Sequence, residues 1–257
     1  MIDAVGFDLG ETLTHYAGVP LNWQCLYGQA LARVWEVSAG AGASTNPTAL
    51  SESDLARAEA VLARYNTRVN PRTTEVTAGR IFGEVLACWR TGDAGRAGAF
   101  PNASPDTAVR AEDAFFGFFQ QSYAVYEDSI SVLQLLQSLK LKTGVLTDVP
   151  YGMGRRFVDR DLTPIAAWVD VALTSVDVGH RKPAPDGFRS LASTLGVSPS
   201  RMLFVGNEAR DIQGANAAGM RSVLLVQDGN AGGKVPEFGQ HTTVFSLHEV
   251  CQLLTPG

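Results

Sequence analysis

The sequence predicts an α/β protein: a Rossmann-like, mostly parallel sheet with helices on both faces, interrupted by an inserted all-helical segment. Three observations predict it. A short apolar run near the amino end stops on an acidic residue, Asp8. From about Ser129 onward, strand-like and helix-like patterns alternate, which is the rhythm of a parallel sheet covered on both sides. Between these two parts, about 110 residues carry helical spacing, enough for a small domain of their own.

The elements follow in order. Residues 4–7 read as a buried strand that delivers Asp8 into a loop containing Gly10 and Thr12. In the insertion, Leu26, Ala30, Val34 and Val37 recur at helical spacing, as do Leu55, Ala58, Leu62, Tyr65 and Val69. Ser51 with Asp54 resembles a capping box for the second helix, and Ser104-Pro105-Asp106 supplies an N-cap, an N1 proline and an early acid for a later one. Gly, Ala, Ser, Asn and Pro punctuate the segments 38–47 and 91–105. Six aromatics, Phe115, Phe116, Phe118, Phe119, Tyr123 and Tyr126, read as one aromatic helix packed mainly into the insertion's own core, with one or two, beyond what one helical face holds, left to point to a cleft or a partner surface. Then come a helix at 130–139, a strand at 143–147, a helix at 155–161, a strand at 169–174 and a helix at 186–195. A strand at 202–205, a helix at 212–218 closed by Gly219, strands at 222–226 and 243–245 and a last helix complete the chain. The expected division is residues 1–14 with 129–257 as the α/β core, and 15–128 as the helical insertion.

Composition narrows the function classes. The 257 residues are 45% hydrophobic and 18% charged, with a net charge of -5, which suits a globular chain and disfavours a phosphate-backbone binder. No nucleic acid partner is expected. Cys25, Cys88 and Cys251 are far apart and form no metal or redox pair. The first residues hold two acids and no basic leader, and no apolar run approaches a membrane span, so the expected setting is the cytoplasm, with no membrane partner. Asn102-Ala103-Ser104 spells a glycosylation acceptor that has no consequence in that setting.

In open parallel sheets, ligands sit beyond the carboxyl ends of the strands. Four strand ends carry polar residues here: Asp8-Leu9-Gly10-Glu11-Thr12, Thr147-Asp148, the stretch leading to Lys182-Pro183-Ala184-Pro185, and Gly206-Asn207-Glu208-Ala209-Arg210-Asp211. Together they offer a nucleophilic carboxylate, further hard oxygen donors, a hydroxyl and an ammonium, the parts that phosphoryl transfer to a carboxylate requires.

In this order the four stretches resemble motifs I to IV of the haloacid dehalogenase superfamily, and the insertion falls where that superfamily places a C1-type cap. The resemblance implies a magnesium-dependent phosphomonoesterase acting on a small phosphorylated substrate. It implies Asp8 as the nucleophile, with Thr147 and Lys182 holding the phosphate. It also implies Mg2+ bound by Asp8, the Gly10 carbonyl and motif IV, where Asp211 and the Asn207-Glu208 pair both remain candidates. Two positions depart from the pattern. Gly10 stands where family phosphatases usually carry a second Asp, the general acid, and Asn207 stands in place of an Asp. Glu11 is the nearest replacement acid and His15 the next. His180 reads as a cap for the turn before Lys182 and Asp148 as a cap for the following helix.

Three further readings compete. The losses at Gly10 and Asn207 suit a catalytically impaired member that binds a ligand or partner. Carbon-halogen hydrolysis uses the same Asp, but such relatives typically have Tyr where Gly10 stands. Phosphonate cleavage needs a lysine in the cap, and Lys140, Lys142, Lys182 and Lys234 all lie outside the insertion.

Overall fold

The computed structural model describes residues 2–39, 49–90, 105–226 and 235–254. Most of the punctuated segments, the expected Ser104 cap, the Asn102 acceptor and Lys234 lie outside the described residues. Within them, β1 (Ala4–Phe7), β4 (Lys142–Thr147), β5 (Val171–Thr174), β6 (Met202–Gly206), β7 (Arg221–Leu225) and β8 (Thr242–Val244) form one parallel sheet in the order β5-β4-β1-β6-β7-β8. The strand order reverses at β1, the place where such sheets open a crevice.

The sheet is apolar on both sides, and strand periodicity sorts its residues between two helical layers. Ala4 faces α8 (Asp186–Leu195) and α9 (Ala209–Ala218) with Leu146, Met202 and Phe204, against Phe188, Leu191 and Ala215. Gly6 and Gly144 lie on this face, where a Cβ would stand 3.2 Å and 2.8 Å from Leu191; the missing side chains let α8 come close. Val5, Phe7, Val145, Leu203 and Val205 face the other layer, built on α5 (Glu127–Ser138), α6 (Arg155–Leu162) and α10 (Leu247–Gln252).

The insertion consists of α1 (Tyr27–Ala39), α2 (Glu52–Tyr65), α3 (Ala78–Arg90) and α4 (Pro105–Gln120). Ser51 caps α2, accepting from the Asp54 N–H at 3.2 Å. The interior is aromatic: Trp23 stacks on Phe119 at 3.7 Å, while Phe82 meets Phe115 and Trp35 meets Trp89 edge to face, each at 5.1 Å. These rings belong to the same buried cluster as Val5, Phe7 and Val205, so the apolar interior runs without a break from sheet to insertion.

Three local expectations change. The apolar stripe of α2 stops at Tyr65, because Asn66 leaves the helical region, and Val69 beyond it is exposed. Val37 is likewise exposed on α1. The aromatic helix ends at Gln120: Tyr123 lies in β3 (Tyr123–Val125), which pairs antiparallel with β2 (Thr14–Tyr16), and Tyr126 precedes α5. This ribbon ties the two ends of the insertion together. A short helix, α7 (Ser175–Val178), follows β5 and is closed by Gly179 at φ 79°.

Candidate active site

β1 carries Asp8 to the crevice, where its N–H still donates to the Val205 carbonyl at 2.9 Å. The chain then turns so tightly that the Leu9 carbonyl accepts from the N–H groups of Thr12, Leu13 and Thr14. This turn holds Glu11 at φ 57°, a left-handed conformation that a non-glycine residue adopts at a cost. β4 ends beside it on Thr147, and the turn before α8 brings in Lys182.

Lys182 is the hub. Its Nζ donates to Asp8 Oδ1 and to Asp211 Oδ1, both at 2.6 Å, and all three side chains are at least mostly buried. Burial pushes the Asp8 carboxyl up to about 7; Lys182 pulls it down and the neighbouring Asp211 pushes it further up. Burial works against the Lys182 ammonium, yet Asp211, Asp8 and Asp148 outweigh it and raise its pKa. Two buried carboxylates thus share one ammonium, and the pocket favours more positive charge.

The other expected residues gather around this hub. Asp8, Gly10, Glu11, Thr147 and Glu208 line one cavity of about 140 Å³. Its opposite wall comes from the insertion and the ribbon: Tyr16, Trp23, Tyr65, Asn66 and Arg68. Glu11 accepts from the Tyr126 hydroxyl at 2.8 Å, and the Tyr126 ring lies tilted beside His15 at 4.4 Å, whose buried Nδ1 has no hydrogen-bond partner among the described residues. Asn207 lies one residue along from Glu208 but lines the adjoining depression, where its Oδ1 accepts from Thr12 Oγ1 at 3.5 Å.

Several functional neighbours escaped the sequence reading. Asp148 caps no helix: its buried carboxylate accepts from the Lys182 N–H at 3.1 Å and pairs with Arg210 at 3.4 Å. Its position next to Thr147 was the available signal. Arg68, from the segment after α2, pairs with Glu208 at 2.6 Å, and Arg210 holds the other oxygen of the same carboxylate at 2.7 Å. Nothing in the local sequence marks Arg68. His180, read as a turn cap, instead forms an isolated antiparallel bridge with Thr74 of the insertion.

For a divalent ion, the oxygen donors differ in availability. Asp211 gives one oxygen to Lys182 and the other to the Glu208 N–H at 2.9 Å. Glu208 is held by two guanidiniums. Among the described residues no group of three or more His, Cys, Asp or Glu side chains forms a ready metal cluster. Asp8 and the Gly10 carbonyl remain, on a carboxylate short of positive charge; hard oxygen donors of this kind suit magnesium.

Comparison with known proteins agrees with this chemistry. The sequence matches the model of the haloacid dehalogenase-like hydrolases over residues 2–219. It is 31% identical over 121 residues to the phosphoglycolate phosphatase of Escherichia coli strain K12, and 36% identical over 100 residues to that of Shigella boydii serotype 4. Those matches cover 47% and 39% of either chain, so the chain spans about half or less of the curated relatives it matches. Among solved structures, it is similar in fold to a 2-haloacid dehalogenase from Pseudomonas syringae pv. Tomato (TM-score 0.66, 21% identity, 99% of this chain and 98% of that one). It is also similar to a HAD phosphatase from Thermococcus onnurineus (TM-score 0.61, 19% identity, 98% of each chain).

Proposed function

Because the chain belongs to the haloacid dehalogenase-like hydrolases, we propose that it is a magnesium-dependent phosphomonoesterase acting on a small phosphorylated metabolite, with residues 15–128 forming the roof over a core of residues 1–14 and 129–257. The observation that carries this reading is the Lys182 ammonium, 2.6 Å from both Asp8 and Asp211 at the mouth of the strand-order reversal.

In this reading Asp8 is the nucleophile. An Asp8 carboxylate oxygen forms a bond to phosphorus in line with the departing oxygen, whose bond to phosphorus breaks and takes the electron pair to the leaving group. Lys182 and Thr147 hold the equatorial oxygens, where charge accumulates. Water then attacks the phosphorus of the aspartyl-phosphate, passes its proton to the group that protonated the leaving oxygen, and releases phosphate and the Asp8 carboxylate. The Gly10 position offers no acid, so Glu11, placed in the same cavity and held by Tyr126, is the proton donor to the leaving oxygen. Asp8 and the Gly10 carbonyl would hold magnesium; Glu208, which faces the same cavity, would join them only by giving up Arg68 or Arg210, and Asn207 orients the turn through Thr12. When bound, the ion supplies positive charge that keeps Asp8 ionised and offsets the charge of the phosphate.

The curated relatives act on phosphoglycolate according to their names, and the roof residues here, Arg68 and Asn66 among Tyr16, Trp23 and Tyr65, suit a small polar leaving group. The test is phosphate release from p-nitrophenyl phosphate with and without magnesium. Wild type is expected to turn over only with the metal, and Asp8→Asn to be inactive while retaining its fold. No release by wild type would favour a binding protein built on the same frame.

A further inference from the structure

We infer that Glu75, on the segment between α2 and α3, is a positioning residue that couples the insertion to the two turns carrying Thr147 and Lys182; this rests on the hydrolase reading above. The segment lies across the turn ahead of Lys182 as a short antiparallel pair. The Glu75 N–H donates to the Gly179 carbonyl at 3.0 Å, the Arg181 N–H donates to the Thr73 carbonyl at 2.7 Å, and Thr74 bridges to His180.

The side chain goes further. One oxygen of the Glu75 carboxylate accepts from the Arg181 guanidinium and from the Ser175 hydroxyl, both at 2.5 Å. Its other oxygen accepts from the Val76 N–H at 2.8 Å and from Arg72 at 3.4 Å. The two partners of the first oxygen converge on one residue: Arg181 donates to the Val149 carbonyl at 2.7 Å, and Ser175 Oγ accepts from the Val149 N–H at 3.1 Å. Both backbone polar groups of Val149, two residues after Thr147, are therefore held through a single carboxylate oxygen contributed by the insertion. From Arg181 the connection passes directly to Lys182, whose own N–H is fixed by Asp148.

Stability alone is a weak account of this arrangement. The side chains of Glu75 and Arg181 are 2% and 3% exposed, and a buried ion pair is commonly no more stable than the apolar contact that could replace it. What a fully bonded carboxylate supplies is direction. Glu75 sets the phosphate-gripping hydroxyl and the ammonium at a fixed separation, and an error of about 1 Å in such a placement can cost about 100-fold in rate.

The experiment compares wild type, Glu75→Gln and Ser175→Ala in full-length protein, measuring kcat and KM for p-nitrophenyl phosphate and amide hydrogen exchange over Val149 and residues 179–182. Glu75→Gln is expected to lower kcat by about 10- to 100-fold while KM moves less than about threefold, with faster exchange at both turns. Ser175→Ala, which cuts only the link to the Val149 N–H, is expected to lower kcat by a smaller factor and to speed exchange at Val149 alone. Folded Glu75→Gln with wild-type kcat overturns the inference. Should Glu75→Gln fail to fold, Ser175→Ala decides, and wild-type kcat with unchanged exchange at Val149 overturns it. If wild type releases no phosphate, the hydrolase reading falls, and exchange alone judges the coupling: unchanged protection at both turns in the variants refutes it.

Discussion

Replacing Gly10 by aspartate puts the missing acid back where the pattern of motif I expects it. A Cβ built on Gly10 meets no atom within 4 Å, and its backbone lies outside the left-handed region, so the side chain enters open cavity without strain. A positioned acid is worth about 10² to 10⁴ in rate, or about 2.7 to 5.4 kcal/mol of barrier. Against this stands repulsion with Asp8, which burial already pushes up to about 7. Two like charges about 6 Å apart at an effective dielectric of about 20 repel by about 2 to 3 kcal/mol, enough to cancel the lower end of the gain. That penalty applies to any substrate, whereas protonation helps chiefly a poor leaving group. The informative quantity is therefore a ratio. Gly10→Asp is expected to raise the kcat/KM for an alkyl phosphate relative to that for p-nitrophenyl phosphate by about 100-fold, even if both absolute rates fall. Phosphate release from both substrates, measured side by side at one magnesium concentration, gives this ratio directly. An unchanged ratio, or wild type turning over both esters equally fast, would refute the idea that Gly10 leaves a gap in acid catalysis that Glu11 fills only in part.

Two stability predictions follow from single contacts. Lys182→Met leaves Asp8 and Asp211 buried without their shared ammonium; removing one side of such a pair costs about 3 to 5 kcal/mol, so the melting temperature is expected to fall by about 10 °C, and an unaltered melt would show that the carboxylates do not depend on it. Gly152→Ala is expected to destabilise by more than about 2 kcal/mol, because Gly152 sits at φ 64° and a Cβ there would stand 2.0 Å from the Val76 carbonyl oxygen; chemical denaturation giving wild-type stability would mean that the insertion moves freely over this turn.

How much of this was legible in the sequence depended on the range of the forces involved. Strand β1 was read to the residue, because an unbroken apolar run next to an acid leaves no other local solution, and α8 was read with its observed ends, Asp186 and Leu195. Asp8, Thr147, Lys182 and Asp211 could be expected to come together, as they do, because strand ends in a parallel sheet converge whatever the details of packing. The β2–β3 ribbon escaped because three-residue strands carry no usable periodicity, and Tyr126 was assigned to an aromatic helix that had already ended. Asp148, Arg68 and Glu75 escaped for a different reason. Each is an ordinary charged residue in sequence, and its meaning lies in a partner far along the chain, as with Glu75 and Arg181, 106 positions apart.

The turn after β4 has a consequence for protein engineering. Tyr151, at φ 49°, pushes its ring to within 6.0 Å of the rings of Trp23, Tyr27 and Phe115, and its hydroxyl bonds that of Tyr27. It acts as a peg of the lower layer seated in a socket of the upper one. A chimera that grafts a foreign roof onto this chain, to redirect its choice of substrate, must bring along a matching peg or carve a new socket; otherwise the graft leaves an aromatic ring stranded beside the reacting groups.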